Sequence, residues 1–176
     1  VVIVGTGVAG LNCAINLPKN LSVLVICKTT FKESDSYLAQ GGICRLKSAD
    51  DYDEYFNDTM RAGHGENNPD AVKCMILSAQ VVIADLESFG VRFAKHKDGS
   101  FDYTREGGHT SPRICYHEDC TGDEITSALQ REALTRPNIQ FAQNTTMLDI
   151  IDDGKQCYGI IAYDKTNNKI VKIFAD

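Results

Sequence analysis

The chain has 176 residues, and its 24 acidic against 18 basic side chains leave a net charge of −6. Its 43% apolar and 24% charged content is that of an ordinary globular domain, long enough for one real core. No Lys/Arg stripe forms and no apolar run is long enough to cross a bilayer, so neither nucleic acid nor a membrane is an expected partner. No signal peptide is visible, and the chain opens on strand-like residues without a methionine, so it reads as trimmed at its start. The expected location is the cytoplasm.

Val1-Val2-Ile3-Val4 is a short apolar strand of the kind buried in a parallel sheet. Gly5-Thr6-Gly7-Val8-Ala9-Gly10 follows at once and matches G-x-G-x-x-G. Leu11 to Leu17 reads as a short helix stopped by Pro18, and Ser22 to Cys27 as a second strand. Glycine loops of this kind hold a pyrophosphate. The first glycine makes the tight turn, the second admits the phosphates to the backbone, and the third lets helix and strand pack closely. Between a strand and a helix, with another strand behind, the motif points to a dinucleotide site. One element departs from the rule. The second strand should end on Asp or Glu for the ribose hydroxyls, and here it ends on Cys27-Lys28. Lys28 fits either a 2′-phosphate or contact with the adenosine part through its stem and backbone.

Ser34-Asp35-Ser36-Tyr37-Leu38-Ala39-Gln40-Gly41-Gly42 has two readings: a second contact with an extended cofactor, or a capped helical turn. Asp50 to Gly63 reads as an amphipathic helix with Tyr52, Tyr55, Phe56 and Met60 along one side. Pro69 to Phe89 reads as a longer helix, capped by Asn68 and stopped by Gly90. Its core face is Val72, Met75, Ile76, Ala79, Ile83, Leu86 and Phe89. Val91 to Tyr103 reads as a hairpin turning at Lys97-Asp98-Gly99-Ser100.

The stretch from Arg105 to Gly122 packs charge, imidazole and glycine together without a periodic apolar face, so little core is expected from it. Glu106, His109, Arg113 and His117 put acid, base and cation near one another, as a polar surface loop or as a site. Gly122 to Arg136 is helical. Then Ile139–Phe141, Thr145–Ile151, Gln156–Asp164 and Lys169–Phe174 read as an antiparallel meander attached to the parallel unit. The expected class is thus α/β: a Rossmann-like parallel sheet plus a β-meander, which suits FAD better than a nicotinamide cofactor.

Seven cysteines (Cys13, Cys27, Cys44, Cys74, Cys115, Cys120 and Cys157) form no C-x-x-C pair. They read as reduced thiols, mostly in apolar surroundings, with no metal site expected. Cys115 and Cys120, inside the polar stretch, are either reactive or inert.

The chain resembles, from end to end, the flavoprotein family of L-aspartate oxidases, fumarate reductases and succinate dehydrogenases, and most of all its L-aspartate oxidase branch. The resemblance rests on Val1 to Gly10, Ser36 to Ile43, Asp58-Thr59 with Ala62-Gly63, Thr104 to His109, Arg113-Ile114, and Asp119 with Thr121-Gly122. It implies that Thr6 to Ala9 wrap the FAD pyrophosphate, and that Lys28 matches a lysine of the aspartate oxidases, which weakens the 2′-phosphate reading. It implies that Asp35 to Gly42 line the flavin side and that Glu106 faces the substrate amine. Related dehydrogenases attach FAD covalently to a histidine where this chain has Asp35, so noncovalent FAD is expected. Relatives often have histidine where Tyr55 stands, a change without a functional reading.

The implied reaction is oxidation of L-aspartate to iminoaspartate, with oxygen or fumarate as acceptor and the imine passed to quinolinate synthase for NAD synthesis. The alternatives are a soluble fumarate reductase-type flavoprotein and a non-catalytic binding module on the same fold. The family's carboxylate grips and base lie further along, in and beyond a capping domain. Residues 1–176 are therefore expected to be the N-terminal part of the FAD-binding domain, incomplete at the C-terminus and inactive alone.

Overall fold

A computed structural model describes residues 1–175. They divide into two units, one made of Val1–Leu38 with Ile125–Asp176 and the other of Ala39–Glu124. Among the described residues no helix is long and apolar enough to cross a membrane.

In the first unit, Val2–Val4 (β1) pairs in parallel with Val23–Ile26 (β2), Ile3 opposite Val25. Between them lies the helix Val8–Asn16 (α1), which buries Leu11, Ala14 and Ile15. Strands of Val and Ile suit this place because β2 is covered on both faces. Ile139–Ala142 (β5) adds to the other edge of β2, again in parallel, so the sheet order is β1-β2-β5. The expectation of a four-strand meander is corrected here. A parallel return needs a crossover of a dozen or more residues, and the helix Thr121–Leu134 (α5) supplies its end. The meander is the last three strands, Thr145–Asp152 (β6), Cys157–Asp164 (β7) and Lys169–Phe174 (β8), paired antiparallel in that order. Ile160 and Ala162 of β7 pack with Ile26, Val2 and Leu24, which joins meander and parallel sheet in one core.

The second unit is built around two helices. Tyr52–Ala62 (α3) packs on Pro69–Ser88 (α4) around Leu46, Tyr55, Val72, Ile76 and Ala79. Asn68 caps α4 as expected, its side-chain oxygen accepting from Asp70 N–H at 2.9 Å and Ala71 N–H at 3.2 Å. Met75, assigned to the core face, is 47% exposed, because the buried stripe runs Val72, Ile76, Ala79, Ile83, Leu86 and leaves it at the edge.

The expected hairpin over Val91 to Tyr103 is reduced to one bridge, Lys95 with Phe101. Near the turn the two arms still bond, His96 N–H donating to the Ser100 carbonyl at 2.8 Å and Asp102 N–H to the Ala94 carbonyl at 3.0 Å, but further out Arg92 N–H donates to Glu124 and Ala94 N–H to the carbonyl of Tyr116. The polar stretch, expected to add little core, contains a strand. Ile114–Cys115 (β4) is fully buried and pairs antiparallel with Ile43–Cys44 (β3).

Gly42 leads into β3. A Cβ there would strike the Cys115 carbonyl oxygen and the Ile114 side chain. Gly42→Ala is expected to cost about 1–3 kcal/mol of stability, as overpacking does. A lower urea midpoint at constant slope checks this, and an unchanged midpoint contradicts it.

Candidate functional site

The first unit holds a cleft of about 450 Å³, walled by Val4 to Gly7, Ile26 to Thr30, Glu33 to Ser36, and Thr145 to Met147. The glycine motif builds it. Gly5 has φ +110, open to glycine at little strain, and its N–H donates to the Ile26 carbonyl at 2.8 Å. Gly10 lets α1 lie against the turn, since a Cβ there would strike the Gly5 carbonyl oxygen. The N-cap of α1 is Gly7, which has no side chain to satisfy the first turn. Among the described residues only Val8 N–H of that turn meets a side chain, Ser36 Oγ at 3.2 Å. A helix N-terminus left this way attracts an anion, as the reading of the motif requires. The buried Thr6 and the Gly7 backbone line the same wall. These residues fit a pyrophosphate-bearing cofactor.

The expected cofactor residues fall into two groups. Gly5, Thr6, Gly7, Lys28, Asp35 and Ser36 line this cleft, with Val8, Ala9 and Gly10 in the first turn of α1 behind it. The short helix Asp35–Leu38 (α2) starts at Asp35 and carries Tyr37 and the exposed Leu38. Ala39, Gln40, Gly41 and Gly42 belong to the second unit, where Gly122 N–H donates to the Ala39 carbonyl at 2.9 Å.

Glu106 stands in the second unit, exposed, with its Oε1 accepting from Gly42 N–H at 3.0 Å. A Cβ on Gly41 would lie 3.0 Å from Glu106 Oε2, so the glycine pair leaves room for the carboxylate. Glu106 pairs with neither Arg105 nor Arg113.

Arg113, expected as a loop cation, is fully buried. Its Nη1 donates to Asp58 Oδ2 at 2.7 Å, and its Nη2 to Asp51 Oδ1 at 2.9 Å and Glu54 Oε2 at 2.8 Å. Asp58 also accepts from Arg61, and from Thr110 N–H at 2.8 Å and Thr110 Oγ1 at 2.9 Å. The loop behind Glu106 is thereby tied to α3. Arg113 Nη1 also lies 3.1 Å from His109 Nδ1. A guanidinium only donates, so Nδ1 accepts and the imidazole hydrogen sits on Nε2, which faces Cys44 Sγ at 3.5 Å. The Arg113 guanidinium lies over the Tyr55 ring, 5.2 Å from its centroid, and burial pushes the Tyr55 hydroxyl far above its usual range.

This network was missed in the sequence, although its spacing is visible there. Asp51, Tyr55 and Asp58 recur at helical intervals and share one face, which the apolar pattern of Tyr52, Tyr55, Phe56 and Met60 obscured. Beside it lies a second cavity of about 550 Å³, lined by Cys44, Tyr55, Met75, Val82 and Gly107 to His109 among others.

The cysteines are less buried than expected. Cys13, Cys74 and Cys157 are exposed, and only Cys27 and Cys115 are buried. Burial pushes the Cys115 thiol up to about 12, so it is inert at neutral pH; the Cys120 thiol is also raised. Among the described residues no cluster of three His, Cys, Asp or Glu is placed to hold a metal ion.

Burial alone would raise the Asp58 carboxyl. The hydrogen bonds from Thr110, Arg113 and Arg61 outweigh it and hold that carboxyl well below the usual range. A depressed pKa adds stability that is full above the unfolded value of about 3.9 and is lost as pH falls below it. Acid unfolding is expected to steepen below about pH 4. Asp58→Asn is expected to cost about 3 kcal/mol at pH 7, the lower end for a broken buried pair, because Asp51 and Glu54 remain on Arg113. It should also flatten the acid limb. Denaturant melts of both proteins across pH 3–7 check this, and parallel curves contradict it.

Comparison with known proteins gives a consistent picture. The family model described as FAD binding domain matches residues 1–176. An L-aspartate oxidase of Clostridium acetobutylicum is 38% identical over 162 residues, 92% of this chain and 37% of that protein. One from Clostridium perfringens is 35% identical over 92% of this chain and 36% of its own length. Among solved structures, a variant of the E. coli quinol fumarate reductase FrdA superposes with a TM-score of 0.92 at 28% identity, covering 99% of this chain and 30% of that one. Mycobacterium smegmatis Sdh1 gives 0.89 at 28%, over 99% of this chain and 32% of that one. The chain therefore spans about a third of the length of the relatives it matches.

Proposed function

This chain belongs to the FAD binding domain family, and on that premise we propose that it is the flavin-binding part of an enzyme that oxidises L-aspartate to iminoaspartate. Glu106 carries the reading. It is an exposed carboxylate, fixed by Gly42 N–H and unpaired with any cation among the described residues, as recognition of a substrate ammonium requires. The Gly5 to Gly10 turn and the α1 N-terminus hold the cofactor pyrophosphate, Lys28 the adenosine side, and Asp35 to Gly42 the flavin side. The chemistry that FAD would supply here is hydride acceptance from the substrate, with fumarate or oxygen as the final acceptor. Glu106 orients the amine, and the network of Arg113 and Asp58 holds its loop in place. The groups that grip the substrate carboxylates belong, in this proposal, to the part of the relatives' length that this chain does not span. The product imine would feed NAD synthesis through quinolinate synthase.

A second reading, a fumarate reductase-type flavoprotein, is favoured by the close superposition on fumarate reductase. It needs no carboxylate beside an amine. Glu106→Gln in the enzyme separates the two. Loss of one charged hydrogen bond is worth roughly 1.5–3 kcal/mol, so L-aspartate oxidation should fall by about one to two decades while fumarate reduction is spared. Steady-state rates with each substrate check this. An equal loss of both, with lower stability, makes Glu106 a structural residue.

Asp35 gives the flavin no histidine to bond, so FAD is held noncovalently in this proposal. Acid precipitation of the holoprotein should leave the yellow colour in the supernatant, and colour kept in the pellet contradicts it.

A further inference from the structure

The cleft lacks the acid that dinucleotide folds set at the end of the second strand, where β2 runs into Cys27-Lys28. Another carboxylate stands on the same wall. Glu33 closes the 3-10 turn Phe31–Glu33 and lines the cleft with Gly5, Gly7, Lys28 and Thr30. Thr30 holds it twice, its carbonyl accepting Glu33 N–H at 3.4 Å and its hydroxyl donating to Glu33 Oε1 at 3.1 Å. Phe31 fixes the turn on β5 through an edge-on contact with Phe141, ring centroids 5.1 Å apart.

The carboxylate is close to the strand end. The Cys27 thiol there is raised chiefly by burial, and the negative charge of Glu33 adds to the effect. Among the described residues no cation pairs with Glu33. Glu33 Oε1 is oriented by Thr30, and Oε2 is left as an acceptor in a cleft built for a nucleotide. A ribose diol supplies two O–H donors of the kind that acceptor takes.

We propose that Glu33 is the ribose-binding carboxylate of this site, moved from the end of β2 to the turn that follows it. The proposal rests on FAD as the cofactor and not on the aspartate chemistry, so it can fail while that chemistry stands.

The test is calorimetric titration of the FAD-stripped protein with ADP and with 2′,3′-dideoxy-ADP. The two share the pyrophosphate and differ only in the ribose hydroxyls. The protein should prefer ADP by about tenfold or more, the scale of one charge-assisted hydrogen bond. Glu33→Ala should weaken ADP by about the same factor and leave dideoxy-ADP unchanged, so the preference disappears. The unchanged dideoxy-ADP affinity also reports an intact cleft. Four results would overturn the proposal: no preference in the native protein, equal weakening of both nucleotides by Glu33→Ala, a preference that survives it, or one lost in Lys28→Gln instead.

Discussion

A guanidinium with no water around it organises the second unit. Arg113 is fully buried, and taking a charge out of water costs several kcal/mol unless it is paired and hydrogen-bonded on all sides. Asp51, Glu54 and Asp58 supply the pairing from one face of α3 and the turn before it. Each partner does a second task. Asp58 accepts from Thr110, Glu54 from Ser111 and Asp51 from Lys47 N–H, while the Arg113 carbonyl itself accepts Arg45 N–H beyond β3. One cation thus ties α3, β3 and the loop from Arg105 to Ser111 into a single arrangement. Glu106 is carried by that loop and fixed at its other side by Gly42.

The two units use different physics for related ends. The first makes a site from backbone. A glycine turn brings amide groups to a cleft, a helix N-terminus without a capping side chain favours an anion, and few side chains are needed. The second makes its site from side chains, which must be oriented by other side chains. That difference explains where polar groups are buried. Thr6 is the buried polar residue of the glycine turn, whereas the second unit buries Asp51, Asp58, Arg113 and Glu124. Glu124 shows the same logic again: it takes Arg92 through N–H, Nε and Nη2 and thereby draws the start of the segment after α4 away from the hairpin ladder.

These differences set what was legible in the sequence. The glycine turn was readable because backbone chemistry is local: Gly5, Gly7 and Gly10 lie within six residues of one another, between strand and helix. The α4 cap was readable for the same reason. The Arg113 network joins residues more than fifty positions apart: the helical spacing of Asp51, Tyr55 and Asp58 marks one face locally, but nothing local names the cation that meets it. The stretch around it was charged and glycine-rich and so read as core-poor, yet the ion cluster allows Ile114 and Cys115 to be buried beside it. Strand β5 was misassigned because the alternation of Ile139, Gln140 and Phe141 suits a strand in either sheet. Only the length of the crossover before it separates a parallel neighbour of β2 from the first strand of a meander. Glu106 was picked out by the resemblance, and its hydrogen bond to Gly42 became visible only in three dimensions.

The central claim is that this flavin site belongs to an enzyme selecting a substrate with an amine. The most direct test is anaerobic titration of the FAD-loaded enzyme with L-aspartate and, separately, with succinate, following the visible flavin absorbance. The account predicts bleaching by L-aspartate and none by succinate. Bleaching by succinate, with L-aspartate inert, would contradict it.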